Sequence, residues 1–525
     1  MTGTQAQFWT PPAGAYNAAI DMVDRNVREG RSEKLAFVDP AASLTYGQLS
    51  ERCNRFANAL RRLGVPTEHR IALIMLDTID MPVAFWGAIK AGVAPVPLNT
   101  LLTPEQWRFM IEDSRADAVV VSADLYERVG PVVEEIAAQR SLHVIINGGA
   151  DHGQLSFDRL LAENSPDAEA ADTRADDVAF WLYSSGSTGA PKGTKHLHAS
   201  AMHTAKLFGQ EVLGFSEDDV VFSAAKLFFA YGLGNAMSFP MSVGATAILM
   251  PGRPTPDSVI ETMRRHNPTI FCGVPTLFAA MLANPSMSHG AGSTRLRLST
   301  SAGEALPEEI GKRWQEKSGS EVIDGIGSTE MLHIFVSNRP GQVCYGSSGT
   351  PVPGYDAMLV DDSGQHVAQG EIGELVIRGP SSAEGYWLQR EKSRRTFRGE
   401  WTYTGDKYRI GEDGNYYYCG RTDDMFKVSG IWVSPFEVES ALVTHSAVLE
   451  AAVIGREDQD GLVKPKAYVV LKPGVAADAN LFENLKEHVK AQAGAWKYPR
   501  WVEVRTDLPK TATGKIQRFK LREED

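Results

Sequence analysis

Hydrophobic positions in the first 420 residues come in short runs rich in β-branched residues, set among longer segments whose apolar residues recur at helical spacing. Ile71–Leu76, Ala118–Val121, His143–Ile146, Val178–Tyr183, Ile270–Gly273 and Arg297–Ser301 read as strands. Interleaved with them, Pro82–Ala91, Pro256–His266 and Pro307–Lys317 read as helices. Each has a proline near its first turn, where the missing N–H costs nothing, and Gly92 stops the first of them. Strand–helix alternation of this kind predicts an α/β fold with layered, largely parallel sheets. No charge falls between Lys226 and Arg253, a stretch longer than a membrane span requires. Gly232, Gly234, Asn235, Pro240, Ser242 and Gly244 interrupt it, so the pattern predicts a buried loop, helix and strand (247–250) instead. After Gly420 the scale shrinks. Glu450–Gly455, Ala467–Leu471 and Trp501–Val504 read as strands and Leu481–Ala493 as a helix, enough for a separate small α+β module. The boundary is expected at the polar segment GRTDD, giving domains 1–422 and 423–525.

Composition changes this picture little. The chain has 525 residues, 43% hydrophobic and 22% charged, as soluble globular proteins do, and its length calls for two or more domains. A net charge of −12 argues against a nucleic-acid surface, but not against small anionic ligands held by local donors. Cys53, Cys272, Cys344 and Cys419 are far apart and lack CxxC spacing, so reduced thiols are expected rather than a zinc site or disulfides. The N-terminus lacks the basic and apolar regions of a secretory signal. A cytoplasmic protein with no membrane and no nucleic-acid partner is the expectation.

The sharpest chemical feature is YSSGSTGAPKG, residues 183–193, directly after the strand Val178–Tyr183 and before a helix expected near Thr194. Glycines let backbone N–H groups approach a phosphate, the hydroxyls add donors, and Lys192 adds a positive charge. Pro191 and Gly193 break the order that a Walker A loop requires.

The segment resembles the phosphate-loop signature of the adenylate-forming superfamily, which contains acyl- and aryl-CoA ligases, peptide-synthetase adenylation domains and firefly luciferase. SAGEAL (301–306), DGIGSTE (324–330), GELVIRGP (373–380), YTGD (403–406), GRTDDMFKVSG (420–430) and LPKTATGK (508–515) follow in the family's order. The resemblance implies a large N-terminal domain, a small mobile C-terminal domain and a two-step reaction. ATP first converts a carboxylate to an acyl-adenylate, with magnesium pyrophosphate leaving, and a thiol then expels AMP. It also implies residue roles. Ser184, Ser185, Gly186, Ser187, Thr188, Gly189 and Lys192 would hold the ATP phosphates. Gly303, Glu304 and Ala305 with Asp324, Gly325, Ile326 and Gly327 would wall the adenine, next to Ser328 and Thr329. Asp406 and Arg421 would bind the ribose. Glu330 would be a Mg²⁺ ligand, in line with that ion's habit of taking one or two carboxylates plus phosphates. Lys515 would bridge the carboxylate and α-phosphate during adenylation. Asp423 would be the hinge, and rotation about it would bring Lys427 and Gly430 to the site, Gly430 letting the pantetheine arm of coenzyme A pass close to the backbone. The context of Lys515 also resembles that in which bacterial protein acetyltransferases modify this family, and the resemblance is compatible with a homodimer.

Two further segments narrow the acid. KLFFAYGLGN (226–235) and EMLHIFVSN (330–338) are similar to those of bacterial benzoate-CoA ligases and their hydroxybenzoate relatives. The resemblance puts Ala230, Tyr231, Gly327, His333 and Ile334 around the aryl ring; aromatic and aliphatic walls suit a flat apolar group, and glycine makes room for it. Benzoate is the expected substrate, with hydroxybenzoate as the alternative. A stand-alone protein that loads a carrier thiol is a further alternative, as are a luciferase-like oxygenase and a nucleotide-binding pseudoenzyme. The last would be expected to lack Lys515 or Glu330, and both are present.

Overall fold

A computed structural model describes residues 9–149, 154–184, 191–287, 289–428, 431–459, 461–494, 497–510 and 516–525. They divide into two compact units: one from the segments up to Ser184, Pro191–Ala357 and Ile377–Thr402, the other from Met358–Val376 and from Tyr403 onward.

Capped helices between buried strands build the first unit. Helix Pro256–His266 shows the local logic: Thr255 accepts from the Ser258 N–H, Pro256 opens the first turn, and Asn267 closes the end in the left-handed region at φ 47°. Thr45 with Gln48 and Thr103 with Gln106 make the reciprocal capping box at two other helices. One sheet runs in the order Thr350–Pro351, Ile334–Ser337, Val322–Gly327, Leu298–Ser301, Ile270–Gly273, Val220–Ser223, Thr246–Ile248, Leu35–Val38, Ser43–Thr45, parallel through its centre and antiparallel at both edges. A second sheet, Ala94–Pro97, Arg70–Ile74, Ala118–Ser122, His143–Asn147, Leu155–Ser156, is parallel throughout. Their cores centre on Phe271, Phe278 and Trp314 in the first and on Trp107 with Val119 and Val121 in the second. Parallel strands need both faces covered, which is why central strands such as Ala118–Ser122, Ile270–Gly273 and Leu298–Ser301 are buried along their whole length rather than on alternate residues.

The uncharged stretch between Lys226 and Arg253 holds a helical run, Ala230–Val243, followed by the strand Thr246–Ile248. Among the described residues no helix is long and apolar enough to cross a membrane.

One expectation fails. No helix begins near Thr194: Lys192–Leu197 is a strand, antiparallel to Val178–Ser184, and the helix starts only at Ser200. Lys192, Thr194 and His196 share one face of it, and the pleat turns Gly193, Lys195 and Leu197 the other way. The Ser/Gly run therefore joins two strands of a hairpin, not a strand and a helix.

In the second unit the hairpin Val448–Glu457 and Val463–Leu471 is joined by Trp501–Val504 in parallel and covered by helices Pro435–Thr444 and Ala479–Ala493.

Candidate active site

The hairpin brings both ends of the Ser/Gly run together, Ser184 opposite Lys192. A short strand, Gly385–Tyr386, pairs with Lys195 and Thr194 and delivers the Tyr386 hydroxyl. Lys192 donates to that hydroxyl at 3.2 Å, stands 4.4 Å over the ring centroid, and lies 3.7 Å from the Glu330 carboxylate. Tyr386 donates to Glu330 Oε1 at 2.7 Å, and Ser184 donates to the same oxygen at 3.2 Å. Burial works against ionisation of Glu330, but the Lys192 ammonium and the two hydroxyls outweigh it and hold the carboxyl below its ordinary range. Glu330 is thus an anion at neutral pH beside a lysine, at the mouth of the Ser/Gly run.

The chain between Gly327 and Ile334 is a tight excursion from the sheet: Val322–Gly327 returns antiparallel as Ile334–Ser337, with Gly327 opposite Ile334. A Cβ on Gly327 would lie 2.5 Å from the His333 carbonyl oxygen, and one on Gly325 would lie 2.7 Å from that of Val336, so side chains are excluded at both. Leu332 sits at φ 64°, and the His333 N–H donates to the Met331 carbonyl at 2.8 Å. That is a γ-turn of the rare, strained kind, and a non-glycine residue in such a region costs about 1–3 kcal/mol. The turn sends Glu330 to the polar cluster and His333 into an aromatic one.

His333 is buried, its ring 4.5 Å from Phe239, 5.4 Å from Phe208 and 5.6 Å from Tyr231. Its Nε2 lies 3.3 Å from the Tyr231 carbonyl, and Nδ1 has no hydrogen-bond partner among the described residues. Burial pushes its pKa down to about 3, so the imidazole is neutral. Gly234 is required here, since a Cβ would come within 2.3 Å of the His333 ring. Ala230 opens the helix Ala230–Leu233, and the half-buried Tyr231 shares a 2.7 Å hydrogen bond with the Thr300 hydroxyl. Upstream, the buried Asp77 carboxylate accepts from the Leu227 N–H and anchors the start of this segment. Tyr231, Gly327, His333 and Ile334 are therefore brought to one place, next to the Ser184–Lys192–Glu330 cluster in sequence and in space.

Asp324 and Ser301 face each other on neighbouring parallel strands, so Gly303, Glu304 and Ala305 leave the sheet beside Asp324–Gly327. Ligands of α/β sheets gather at such carboxyl ends. Burial pushes the Asp324 carboxyl up to about 8, against the Ser301 hydroxyl and the N–H groups of Leu306 and Gly325. Ser328 accepts from the Met331 N–H, and the Thr329 carbonyl accepts from Leu332.

In the second unit Arg421 donates to Asp406 Oδ1 at 2.9 Å and to the Thr404 carbonyl at 2.9 Å, the two side chains standing on paired positions of one hairpin. Asp406 raises the Arg421 pKa still further. Asp423 and Lys427 are exposed. Ser185, Gly186, Ser187, Thr188, Gly189, Gly430 and Lys515 lie outside the described residues. Sequence reasoning missed Tyr386 and Thr300, which no motif marks. None of the four cysteines forms a disulfide among the described residues.

The AMP-binding enzyme family model matches residues 23–387, and the model of the AMP-binding enzyme C-terminal domain matches 437–515. The chain is 56% identical over 519 residues to a benzoate–CoA ligase of Thauera aromatica, covering 98% of both chains. It is 55% identical to a 4-hydroxybenzoate–CoA/benzoate–CoA ligase of Rhodopseudomonas palustris, over 98% of this chain and 95% of that one. Among solved structures, a benzoate CoA ligase from Burkholderia xenovorans superposes with a TM-score of 0.89 at 52% identity, covering 97% of this chain and 100% of the other.

Proposed function

This chain belongs to the AMP-binding enzyme family, and from that premise we propose that it is an ATP-dependent aryl-acid:coenzyme A ligase whose substrate is benzoate. The observation that carries the reading is the double duty of one segment, Gly327–Ile334. Its polar end, at Glu330, joins Ser184 and Lys192, and its apolar end, at His333 and Ile334, joins Tyr231. An acid with a flat ring and a carboxylate has those same two ends.

In the first step a benzoate oxygen attacks the α-phosphorus of ATP, the bond to the bridging oxygen breaks, and pyrophosphate leaves. Negative charge crowds at phosphorus, so donors held there in advance do the work. Lys192, the hydroxyls of 184–188 and the glycine N–H groups supply them for the phosphates, and Lys515 bridges carboxylate and α-phosphate. Mg²⁺ fits the donor set: Glu330 is ionised, and no group of three candidate ligands occurs among the described residues, so the ion would be held by Glu330 together with the nucleotide's own phosphates. When bound, Mg²⁺ would neutralise charge on the leaving pyrophosphate. Asp406 and Arg421 take the ribose hydroxyls. Asp324, its carboxyl pushed up to about 8 by burial, takes the adenine side of the site beside Gly303–Ala305.

In the second step the coenzyme A thiolate attacks the carbonyl carbon, the C–O bond breaks, and AMP departs. We place the hinge for the change of pose at Asp423, between domains 1–422 and 423–525, with Lys427 and Gly430 serving this step. Acetylation of Lys515 removes the charge that adenylation uses; treatment with an acetyltransferase and acetyl-CoA that leaves activity intact contradicts this. Localisation in the cytoplasm is consistent with four cysteines that form no disulfide among the described residues.

The neutral His333, with its buried Nδ1 unpartnered among the described residues, favours a second reading, acceptance of a ring hydroxyl. AMP release with coenzyme A across benzoate, 3-hydroxybenzoate and 4-hydroxybenzoate tests both. Benzoate is expected to lead by roughly tenfold or more in kcat/KM, as one ring contact is worth about 1–3 kcal/mol. No turnover of any of the three would sink the assignment.

A further inference from the structure

Residues 511–515 precede in sequence the helix Arg518–Glu523, which begins three residues after Lys515. The residues flanking that segment are tied to each other: Lys510 and Ile516 form a β-bridge, and the Gln517 N–H donates to the Pro509 carbonyl at 2.8 Å. From the helix, Arg518 forks onto Glu439, Nε to Oε1 at 2.9 Å and Nη2 to Oε2 at 2.6 Å, while its Nη1 reaches Asp424 Oδ2 at 3.3 Å. Arg522 takes the other oxygen of Asp424 at 2.9 Å. Glu439 also accepts from the Val453 N–H at 2.7 Å, which fixes the far end of the chain to the sheet. The side chains of Arg518, Asp424 and Glu439 are 17%, 10% and 8% exposed, so little water screens this alternating row of charges.

Apolar packing already fixes the helix on the sheet, through Leu521 and Leu508 against Ile454 and Tyr468. The ionic row adds what that packing does not provide, a link from the helix to the residue directly after Asp423. We propose that Asp424 and Arg518 are positioning residues: they make the chain from 424 onward turn about Asp423 as one body, so that the segment bearing Lys515 reaches the α-phosphate in fixed register. The inference rests on the reading of Asp423 as hinge and Lys515 as the adenylation lysine. The strands Phe426–Val428 and Ile431–Val433, between which Gly430 falls in the sequence, pair with each other without passing through Asp424. Loss of the clamp therefore falls on adenylation more than on thioester formation.

The test is single-turnover adenylation beside single-turnover thioester formation from pre-made benzoyl-AMP, for Asp424→Asn, Asp424→Glu, Arg522→Gln and Lys515→Ala. Asp424→Asn is expected to slow adenylation by roughly thirty- to a hundredfold, since about 1 Å of misplacement at a reacting group costs on the order of 10²-fold. Thioester formation is expected to stay within about threefold of the parent, and Asp424→Glu to recover most of the adenylation rate. Arg522→Gln, at a more exposed partner, gives the same pattern more weakly and carries the test should Asp424→Asn fail to fold. Equal slowing of both steps, or slowing of neither, overturns the clamp. Lys515→Ala is expected to lose adenylation by at least about a hundredfold while keeping thioester formation. If that variant still adenylates, the underlying reading falls and the clamp with it. Failure of Asp424→Asn alone leaves the reading standing.

Discussion

At Glu330, burial and three neighbours compete over one proton. Desolvation favours the acid, while the Lys192 ammonium and the hydroxyls of Tyr386 and Ser184 favour the anion and prevail. A glutamine at 330 keeps the shape and abolishes the charge. Glu330→Gln is therefore expected to slow benzoate-dependent ATP–pyrophosphate exchange about a hundredfold, the scale of a preorganised charge at the reacting centre. Tyr386→Phe removes one hydrogen bond to a charged acceptor, a matter of about 1.5–3 kcal/mol at most. Its exchange rate is expected to fall about tenfold while the KM for benzoate holds; a change confined to that KM would place Tyr386 in the ring pocket instead. The carboxylate was legible because it closes the string DGIGSTE. The tyrosine was not, because it lies 56 residues away and meets Glu330 only through strand pairing that no local pattern announces. Thr300, which fixes the Tyr231 hydroxyl across 69 residues, was hidden for the same reason.

Among the elements, the strand Lys192–Leu197 holds the clearest lesson. A phosphate-binding run after a strand invites a helix, yet Lys192, Thr194 and His196 alternate with period two, and pairing with Val178–Ser184 decides the matter. Strands such as Ala118–Ser122 and helices such as Pro256–His266 were legible because β-branched runs, prolines and caps act locally. The hairpin depends on a partner strand. It also buries His196, stacked on Phe180 at 5.1 Å. Burial pushes the His196 pKa down to about 3, against the opposing pull of Glu330 and of the Thr329 carbonyl. A base depressed in this way contributes stability that is whole above its unfolded pKa of about 6.5 and is lost as pH falls below it, by up to about 1.4 kcal/mol per pH unit. His196→Leu is expected to melt higher than the parent at pH 5.5, with the gap closing or reversing at pH 8. A parallel offset at both values would contradict the account.

At the scale of the whole molecule, the family strings spread over both units made the fold legible from the chain alone. The parallel centre of the large sheet followed from apolar runs separated by helices. What the sequence withheld was pairing at a distance: Arg421 with Asp406, and Arg518 with Asp424 and Glu439. Both are contacts between charged side chains, whose partners composition and periodicity do not name. One oxygen atom distinguishes activation through AMP from any other route. If benzoate is activated by joining AMP, an oxygen of its carboxylate stays on phosphorus when the thiol takes the acyl group. Benzoate carrying ¹⁸O at both carboxylate positions, turned over with ATP and coenzyme A, is expected to yield AMP with a single ¹⁸O by mass spectrometry. Unlabelled AMP, formed alongside benzoyl-CoA, would contradict the account.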